Sequence, residues 1–450
     1  MIFKTFRKGG IEVPDNKMTK DRQIEPVQIP DIAVFPLSQH IGAPAVPCVQ
    51  PGDKVLVGTL IAKGESFMSA NIHSSICGTV KKIDKAPCLN GAYAPAIYIE
   101  RDKEREEEWE PAIDRSETLA DECSLSPQEI IGKIKDAGIV GLGGACFPTH
   151  VKMMPPKGAE LDSLIVNGVE CEPYLTADHS LMLAHSAEII AGIRIMMKAL
   201  GVSRSYIGIE ANKPDAIALF RKELKSCRNI KVVPLKKKYP QGGEKQLIDA
   251  VLHRRVPNPP AIPANIGVVV ENVATVYAIY QAVQKNRPLI DRVVTVTGNS
   301  VAKPSNFISR LGISVNLLIE NAGGIPEDTG KILHGGPMMG KPMRNLEIPM
   351  TKGTSGIVLL PETVSTRQPE QNCIRCAMCV EACPMGLEPY LLAQAAADSD
   401  WETAEKEGIM TCIECGCCQS TCPSFRPLLD WVRYSKNKVG GIIRQRNIKK

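Results

Sequence analysis

The sequence predicts a multidomain α/β protein, and three observations carry that prediction. Between about residues 138 and 285, apolar strand-like runs alternate with helical ones, the order that builds a parallel sheet layered with helices. The first hundred residues instead hold short β-rich segments punctuated by Gly and Pro. Near the C-terminus, eight of the 16 cysteines fall into two copies of one spacing. At 450 residues the chain is long enough for several domains.

Composition narrows the class. Hydrophobic residues at 44% and charged residues at 23% are ordinary for a globular protein. No apolar run approaches the roughly 18 residues a membrane-crossing helix needs, and no secretory signal opens the sequence. The chain is therefore expected to be intracellular and not itself membrane-spanning. The net charge of +5 is concentrated, because residues 433–450 carry seven Lys/Arg and no acid. Such a tail suits anionic lipid or an acidic partner, and equally a solvated terminus. Aromatics at 4%, with no basic–aromatic stripe, argue against nucleic acid.

The expected elements follow in chain order. Residues 1–100 form a β-rich unit. Within it, 49–61 reads as strand, turn, strand, with Pro51-Gly52 making the turn, and 72–80 as its counterpart. The pair resembles the barrel-sandwich of biotinyl and lipoyl carrier domains. Residues 66–75, where such domains carry the attachment lysine, contain none. A swinging-arm role is not expected, and His73 reads as a surface or packed histidine. Residues 100–110, seven acids and three bases around Trp109, read as a solvated linker.

A central α/β unit is expected over 125–290. Ser126-Pro127-Gln128-Glu129 combines an N-cap, a first-turn proline and a reciprocating Glu, predicting a helix that stops at Gly138. Strands are expected at 164–166, 206–210, 231–235 and 266–270. Helices are expected at 189–200, 214–225, from 244 and from 275, with Ile189, Ile193, Met196 and Leu200 keeping helical spacing. Residues 291–361 follow as a smaller unit that resembles the β-grasp module known for binding soluble ligands. A polar connector over 362–371 leads into a unit at 366–432, with one inserted helix around 390–404. The basic tail, 433–450, ends the chain.

The cysteine runs carry the most specific chemistry. Cys373-x2-Cys376-x2-Cys379-x3-Cys383-Pro384 is repeated as Cys412-x2-Cys415-x2-Cys418-x3-Cys422-Pro423. This is the ferredoxin-like arrangement of bacterial two-cluster ferredoxins, in which three thiolates wrap three irons of a 4Fe–4S cube. The cysteine before proline then serves the other cluster. Cys373, Cys376, Cys379 and Cys422 are thereby assigned to a first centre, and Cys412, Cys415, Cys418 and Cys383 to a second. Disulfides would need an oxidising compartment. Zinc prefers two CxxC pairs, and a third Cys at x2 followed by x3-Cys-Pro departs from that spacing. Cys417 is out of register and reads as a bystander. Cys48, Cys77, Cys88, Cys123, Cys146, Cys171 and Cys227 are dispersed and read as small buried apolar residues.

Gly138 to Thr149 is a glycine-dense loop after a helix stop, with Lys152 close behind. Glycines at this density let backbone N–H groups approach an anion, although a plain tight turn has the same look. Asn167-Gly168-Val169-Glu170-Cys171-Glu172-Pro173-Tyr174 follows an expected strand, where open α/β sheets place ligands. A polyhydroxyl chain such as ribityl suits those acids and that amide.

These elements, with Tyr239-Pro240-Gln241-Gly242-Gly243-Glu244 and Val270-Glu271-Asn272-Val273-Ala274-Thr275, recur in one order. In that order they resemble the flavin subunits of respiratory complex I and of related hydrogenases and formate dehydrogenases. Taken with the sandwich, the double cysteine motif, His40–Pro44, Tyr174–His179 and Gly335–Gly340, the whole chain resembles the peripheral RnfC-type subunits of Rnf ion-translocating electron transport complexes. The resemblance implies one non-covalent FMN, a site for NAD(H) and two 4Fe–4S clusters. It implies FMN contacts from Gly141, Gly143, Gly144, Lys152, Asn167, Glu170, Glu244 and Asn272, and dinucleotide contacts from Phe147 and Glu172. The chain departs from the complex I pattern at Leu142, Val169 and Lys245, where that pattern has Arg, Asp and Glu.

The implied function is electron passage between NAD(H), FMN and the clusters, within a complex that couples ferredoxin:NAD electron transfer to ion movement. The implied partners are the other subunits of the complex, NADH, and ferredoxin reached through the complex. The implied location is peripheral, on the cytoplasmic side of the inner membrane. No catalytic acid–base or nucleophilic group is expected, and His179 and His185 read as structural. A soluble flavin subunit of a hydrogenase or formate dehydrogenase is the alternative, and a flavin-free electron conduit is a third reading.

Overall fold

The computed structural model describes residues 3–103 and 107–448. Its centre is a four-stranded sheet, all parallel, in the spatial order Ile230–Leu235, Arg204–Glu210, Ser163–Gly168, Val268–Asn272. Parallel strands connected by helices are covered on both faces, which is why Val268–Asn272 is buried throughout. Helices Ser186–Leu200 and Val273–Lys285 pack together on one side. Gly192 allows that approach, since a Cβ there would lie 2.9 Å from Val276 Cγ1. The helix expected at Ser126 forms as Pro127–Asp136 with its full capping box, and Gly138 ends it at φ +65.

The β-rich unit consists of two small antiparallel sheets. One pairs Ile32–Pro36, Tyr93–Arg101, Gly78–Pro87 and Lys54–Val55, and the other pairs Val46–Pro47, Leu60–Lys63 and Ile72–His73. The predicted turn closes at Gly52, φ +98, with the Gln50 amide donating to Asp53 at 2.8 Å. His73 is packed, not exposed. The smaller α/β unit is a six-stranded mixed sheet around Asp291–Thr297, with the helix Val315–Asn321 against it. One apolar core runs without a break from Ala33 of the sandwich through the central helices to Leu359.

The structure departs from the sequence-based expectations in several places. The first thirty residues supply no strand to either sheet of the β-rich unit. They run as a strap: Lys4 bonds Pro234, Gly10 bonds Ala382, Ile11 pairs with Tyr239, and Ile24–Pro26 adds an edge strand to the six-stranded sheet. Single backbone bonds to scattered partners leave no periodic trace in the sequence. The charged stretch 100–110 is pinned, and its residues 104–106 lie outside the described residues. Trp109 pairs with Val57 and is faced by Arg115, Arg287 and Arg310, with ring distances of 4.7–5.2 Å. The acids that looked solvated include Glu107, held by Arg310 at 2.5 Å.

The inserted segment is two helices, Pro389–Ala397 and Trp401–Lys406, broken at Ser399 with φ +57. Residues 433–448 of the basic tail belong to a helix, Leu428–Ile448. Three of its bases are spent internally, Arg433 and Lys436 on Glu414 and Arg446 on Glu405, so its surface is far less cationic than its sequence. Of the dispersed cysteines only Cys77 is fully buried, and Cys48 is exposed. The strand expected at 266–270 also begins later, at Val268, after a 3-10 turn over Pro263–Ile266.

Lys352 ties three units together, because its fully buried amine donates to Asn71 at 2.5 Å and to Gly138 at 2.7 Å. Burial pushes this amine down to about 7, against about 10.4 in an unfolded chain. Between those values the unfolded chain binds a proton that the folded one does not, so this group makes stability rise with pH across that window. Lys352→Met should flatten the rise. Thermal midpoints measured at pH 7 and pH 9 should differ less in the variant than in the parent.

Candidate functional site

All four parallel strands end on one edge, and the residues there come from separate stretches. The glycine loop folds back on itself, with the Gly141 amide donating to Phe147 at 2.9 Å and the Cys146 amide to Gly141 at 3.1 Å. Gly144 adopts φ +105, a conformation side chains rarely tolerate, and the space above it is open. A Cβ on Gly143 would stand 3.2 Å from Asn272 Cβ, so that glycine lies against the strand end. Leu142 is anchored from both sides: Thr275 accepts from its amide at 2.9 Å, and Arg292 donates to its carbonyl at 3.1 Å.

Asn167 and Asn272 are register partners on adjacent strands. Asn167 donates to the Gly242 carbonyl at 2.9 Å, bringing the Tyr239–Glu244 segment to the same edge. Asn272 caps the helix Val273–Lys285 and donates to Asp178 at 2.7 Å. Lys152 reaches the edge from the short helix Thr149–Lys152. Its amine donates to the Val270 carbonyl at 2.7 Å and to Glu244 at 3.3 Å, and lies 4.0 Å from Glu271. Burial alone would lower its pKa, but Glu271 and Glu244 together raise it. Glu271 is itself buried, with Oε2 unpartnered. Thus Gly141, Gly143, Gly144, Lys152, Asn167, Glu244 and Asn272 gather around one edge. Asp178 and Glu271 stand among them, two carboxylates whose positions in the same motifs gave no hint of a role.

The two remaining acids are turned elsewhere. Glu170, in a strained φ +46 conformation, accepts from the Asp178 amide at 2.8 Å and the His179 amide at 3.2 Å, at the first turn of Ala177–Ala184. Its neighbour Asp178 is pushed up to about 7 by burial and by the Glu170 charge. Glu172 accepts from the Met338 and Met339 amides at 3.1 and 2.8 Å, so it faces the Gly335–Gly340 loop. Burial pushes Glu172 up to about 7 despite those donors. Phe147 is half-buried with its backbone tied to Gly141. His179 bonds Asp215 and His185 bonds Glu188, both at 2.9 Å, in keeping with structural roles.

The two cysteine runs have the same backbone shape. Arg375 and Ala377 sit at φ +56 and +60, and their counterparts Glu414 and Gly416 at +57 and +79. Short helices, Met378–Glu381 and Cys417–Ser420, follow in each. Cys383, Cys412, Cys415 and Cys418, the set assigned to the second centre, line one small cavity, and Cys417 lines it with them. Burial and the neighbouring sulfurs, Cys383 among them, push Cys412 up to about 11 and Cys418 upward. Without a metal group these thiols stay protonated; as thiolates they would need one to neutralise them. In the first run, Cys379 has Cys422 and Cys376 as its sulfur neighbours, three of the four residues assigned to the first centre. Cys373 and Cys376 are exposed. Cys417, read from the sequence as a bystander, is fully buried, lines the same cavity beside Cys415 and turns its sulfur toward the Tyr239 carbonyl at 3.9 Å.

A buried seam joins the sheet edge to the second set. Tyr239, Ala382, Cys415 and Cys417 form one apolar cluster with Cys171 and Met338 against it. Tyr239 donates its hydroxyl to the Cys415 carbonyl at 2.9 Å, and Cys171 sulfur accepts from the Gly242 amide at 3.3 Å.

Known families match successive stretches of the chain: the RnfC barrel sandwich hybrid domain over residues 4–104, the Nuo51 FMN-binding domain over 134–281, the SLBB domain over 293–342 and a 4Fe-4S dicluster domain over 366–423. Over 444 residues the chain is 43% identical to the RnfC-type subunit of the proton-translocating ferredoxin:NAD(+) oxidoreductase complex of Clostridium ljungdahlii, covering 98% of this chain and 95% of that one. Over 433 residues it is 38% identical to the corresponding subunit of the Na(+)-translocating ferredoxin:NAD(+) oxidoreductase complex of Acetobacterium woodii, covering 96% of each. A solved NAD+-reducing NiFe hydrogenase overlaps 70% of this chain and 62% of that one, at 17% identity and TM-score 0.49, too loose a likeness to bear on function.

Lys152→Met would leave Glu271 buried and unpaired, a loss of about 3 kcal/mol. Glu271→Gln added to the same chain should recover part of it, read as denaturation midpoints of the two variants.

Proposed function

The chain belongs to the family of RnfC-type subunits of ion-translocating ferredoxin:NAD(+) oxidoreductase complexes, and on that premise we propose that it passes electrons between NAD(H) and the rest of such a complex. Its domains are those of an oxidoreductase subunit that carries FMN and 4Fe–4S clusters. The single observation that carries the reading is the seam, which sets the flavin-type sheet edge directly against the second cysteine set.

The residues present fit the groups. An open cradle at Gly143–Gly144 and the orphaned Glu271 oxygen, beside the Lys152 amine, suit a phosphorylated polyhydroxyl cofactor. FMN would be held by Gly141, Gly143, Gly144, Lys152, Asn167, Glu244 and Asn272, with Glu170 stiffening the edge from behind through the Ala177–Ala184 helix. The thiol sets suit two cubes, with Leu387 and Glu414 amides donating to Cys383 and Cys412 sulfur at 3.3 Å, as cluster sulfurs prefer. When bound, FMN supplies the exchange between a two-electron hydride donor and one-electron carriers. The protein holds the cofactor edge, shields the second set from water, and leaves the glycine loop open on the side where NADH, past Phe147, would approach.

Glu172 is bonded to the Gly335–Gly340 loop in this structure, so a dinucleotide contact from it would require that loop to release it. Attachment to the complex is peripheral in this reading, at the cytoplasmic face of the membrane; among the described residues no single helix is long and apolar enough to cross one. Relatives named for protons and for Na(+) share this subunit plan, which fits an ion path carried by other subunits.

The crossed ligand sets give a direct test. Anaerobic Cys422→Ala should lose the first centre and Cys383→Ala the second, each falling from about eight to about four irons per chain. NADH should still bleach the flavin in both. An EPR loss in Cys422→Ala that matches Cys415→Ala rather than Cys376→Ala would refute the crossed assignment.

A further inference from the structure

The two cysteine runs are copies in backbone shape, yet they meet different surroundings. In the second, Ile413 packs against the seam and Cys417 is fully buried, covered by Tyr239, Met338 and the strap residue Ile11. Their counterparts in the first, Ile374 and Met378, are 68% and 45% exposed. Two more large apolar side chains flank the same centre: Phe425, 52% exposed just after Cys422, and Tyr390, 44% exposed beside Cys379. The Gln371 amide donates to Ser424 at 2.9 Å, and the Ser424 hydroxyl to Asn372, which holds the Ile374 loop next to Phe425. Charge differs too. Glu414 in the second run is neutralised by Arg433 and Lys436, whereas its counterpart Arg375 is exposed and has no ion pair among the described residues.

We propose that the uncovered face of the first centre, formed by Ile374, Met378, Tyr390 and Phe425 around Arg375, is the surface on which a redox-cofactor-carrying subunit of the complex docks to exchange electrons. This rests on the electron-transfer reading above and says where the path leaves the chain. The internal copy supplies the argument for the occupant. At the second centre the same positions are covered by protein that belongs to a second redox site, with an apolar contact around a buried polar one. The first centre presents the matching half of such a contact, and nothing among the described residues covers it. An apolar patch beside the exposed Cys373 and Cys376 would bring a partner's cofactor near while excluding water between them. The partner should carry an apolar face with an acid to meet Arg375. The basic C-terminal helix is a weaker candidate for attachment, because Glu414 and Glu405 already hold three of its bases.

The test uses the whole complex purified through a tag on another subunit, with Ile374→Asp/Phe425→Asp and, separately, Arg375→Glu in this chain. The expected result is at least a tenfold loss of co-purifying chain with the double variant and a smaller, salt-dependent loss with Arg375→Glu. The isolated variants should keep FMN, about eight irons and NADH-driven reduction of both centres. Co-purification within twofold of the parent would overturn the proposal. So would equal loss of binding to protein-free vesicles of phosphatidylglycerol and phosphatidylethanolamine, which would make the patch a lipid contact. Failure of NADH to reduce the isolated parent chain would instead count against the electron-transfer reading itself.

Discussion

Two redox sites exchange electrons only when a short, fixed path separates them, and the Tyr239 seam supplies that constraint here. One residue serves both sides of it. The Tyr239 backbone pairs with Ile11 of the strap, its hydroxyl bonds Cys415 of the second set, and the segment that follows delivers Gly242 to Asn167 at the sheet edge. Around it lie the interior of the thiol-bearing unit, the end of the parallel sheet and the Gly335–Gly340 loop. The strap, which contributes no cofactor-type residue, becomes intelligible as the piece that clamps these three. A Cβ on its Gly10 would stand 2.7 Å from Lys238 Cε and 2.8 Å from the Tyr239 carbonyl, so the strap lies flush against the seam.

Rigidity at the edge comes in part from lysines whose amines bond backbone carbonyls. Lys17 donates to the carbonyls of Glu170, Glu172 and Leu175 at 2.5–2.9 Å, and Lys213 donates to Val169 at 2.7 Å. The loop they hold contains Glu170 and Tyr174 at positive φ, so its carbonyls have no ladder or helix to join. An ammonium with three donors satisfies such a cluster in a way no neutral side chain does. The cost is desolvation: burial lowers Lys17 to about 8 and Lys352 to about 7. Lys352 does for the Asn71–Gly138 junction what Lys17 does for the sheet edge. The sandwich unit is thereby fixed to the base of the glycine loop, an attachment that its lack of a carrier lysine left unexplained.

Much of this was legible in the chain because it depends on local chemistry. Helix Pro127–Asp136 forms where its capping box says, the parallel strands fall within a few residues of their apolar runs, and the two cysteine runs adopt one shape because their spacing and left-handed positions repeat. The two-cluster spacing also grouped Cys383 with Cys412, Cys415 and Cys418, and these four line one cavity, which Cys417, read as a bystander, lines as well.

Other features arose only from long-range contact. The strap, the cage of arginines around Trp109 and the ion pairs of the basic tail with Glu414 and Glu405 use isolated bonds between residues far apart in the chain, which leave no period or motif. The same holds for the direction of Glu172, whose motif fixed its place but not which neighbour would satisfy it. By itself the sequence determined the family of cofactors, because metal and phosphate chemistry prescribes residue types at short spacing. Only the tertiary structure decided which of the two equivalent thiol sets is enclosed and which is left open, because burial depends on what the rest of the chain packs against each copy.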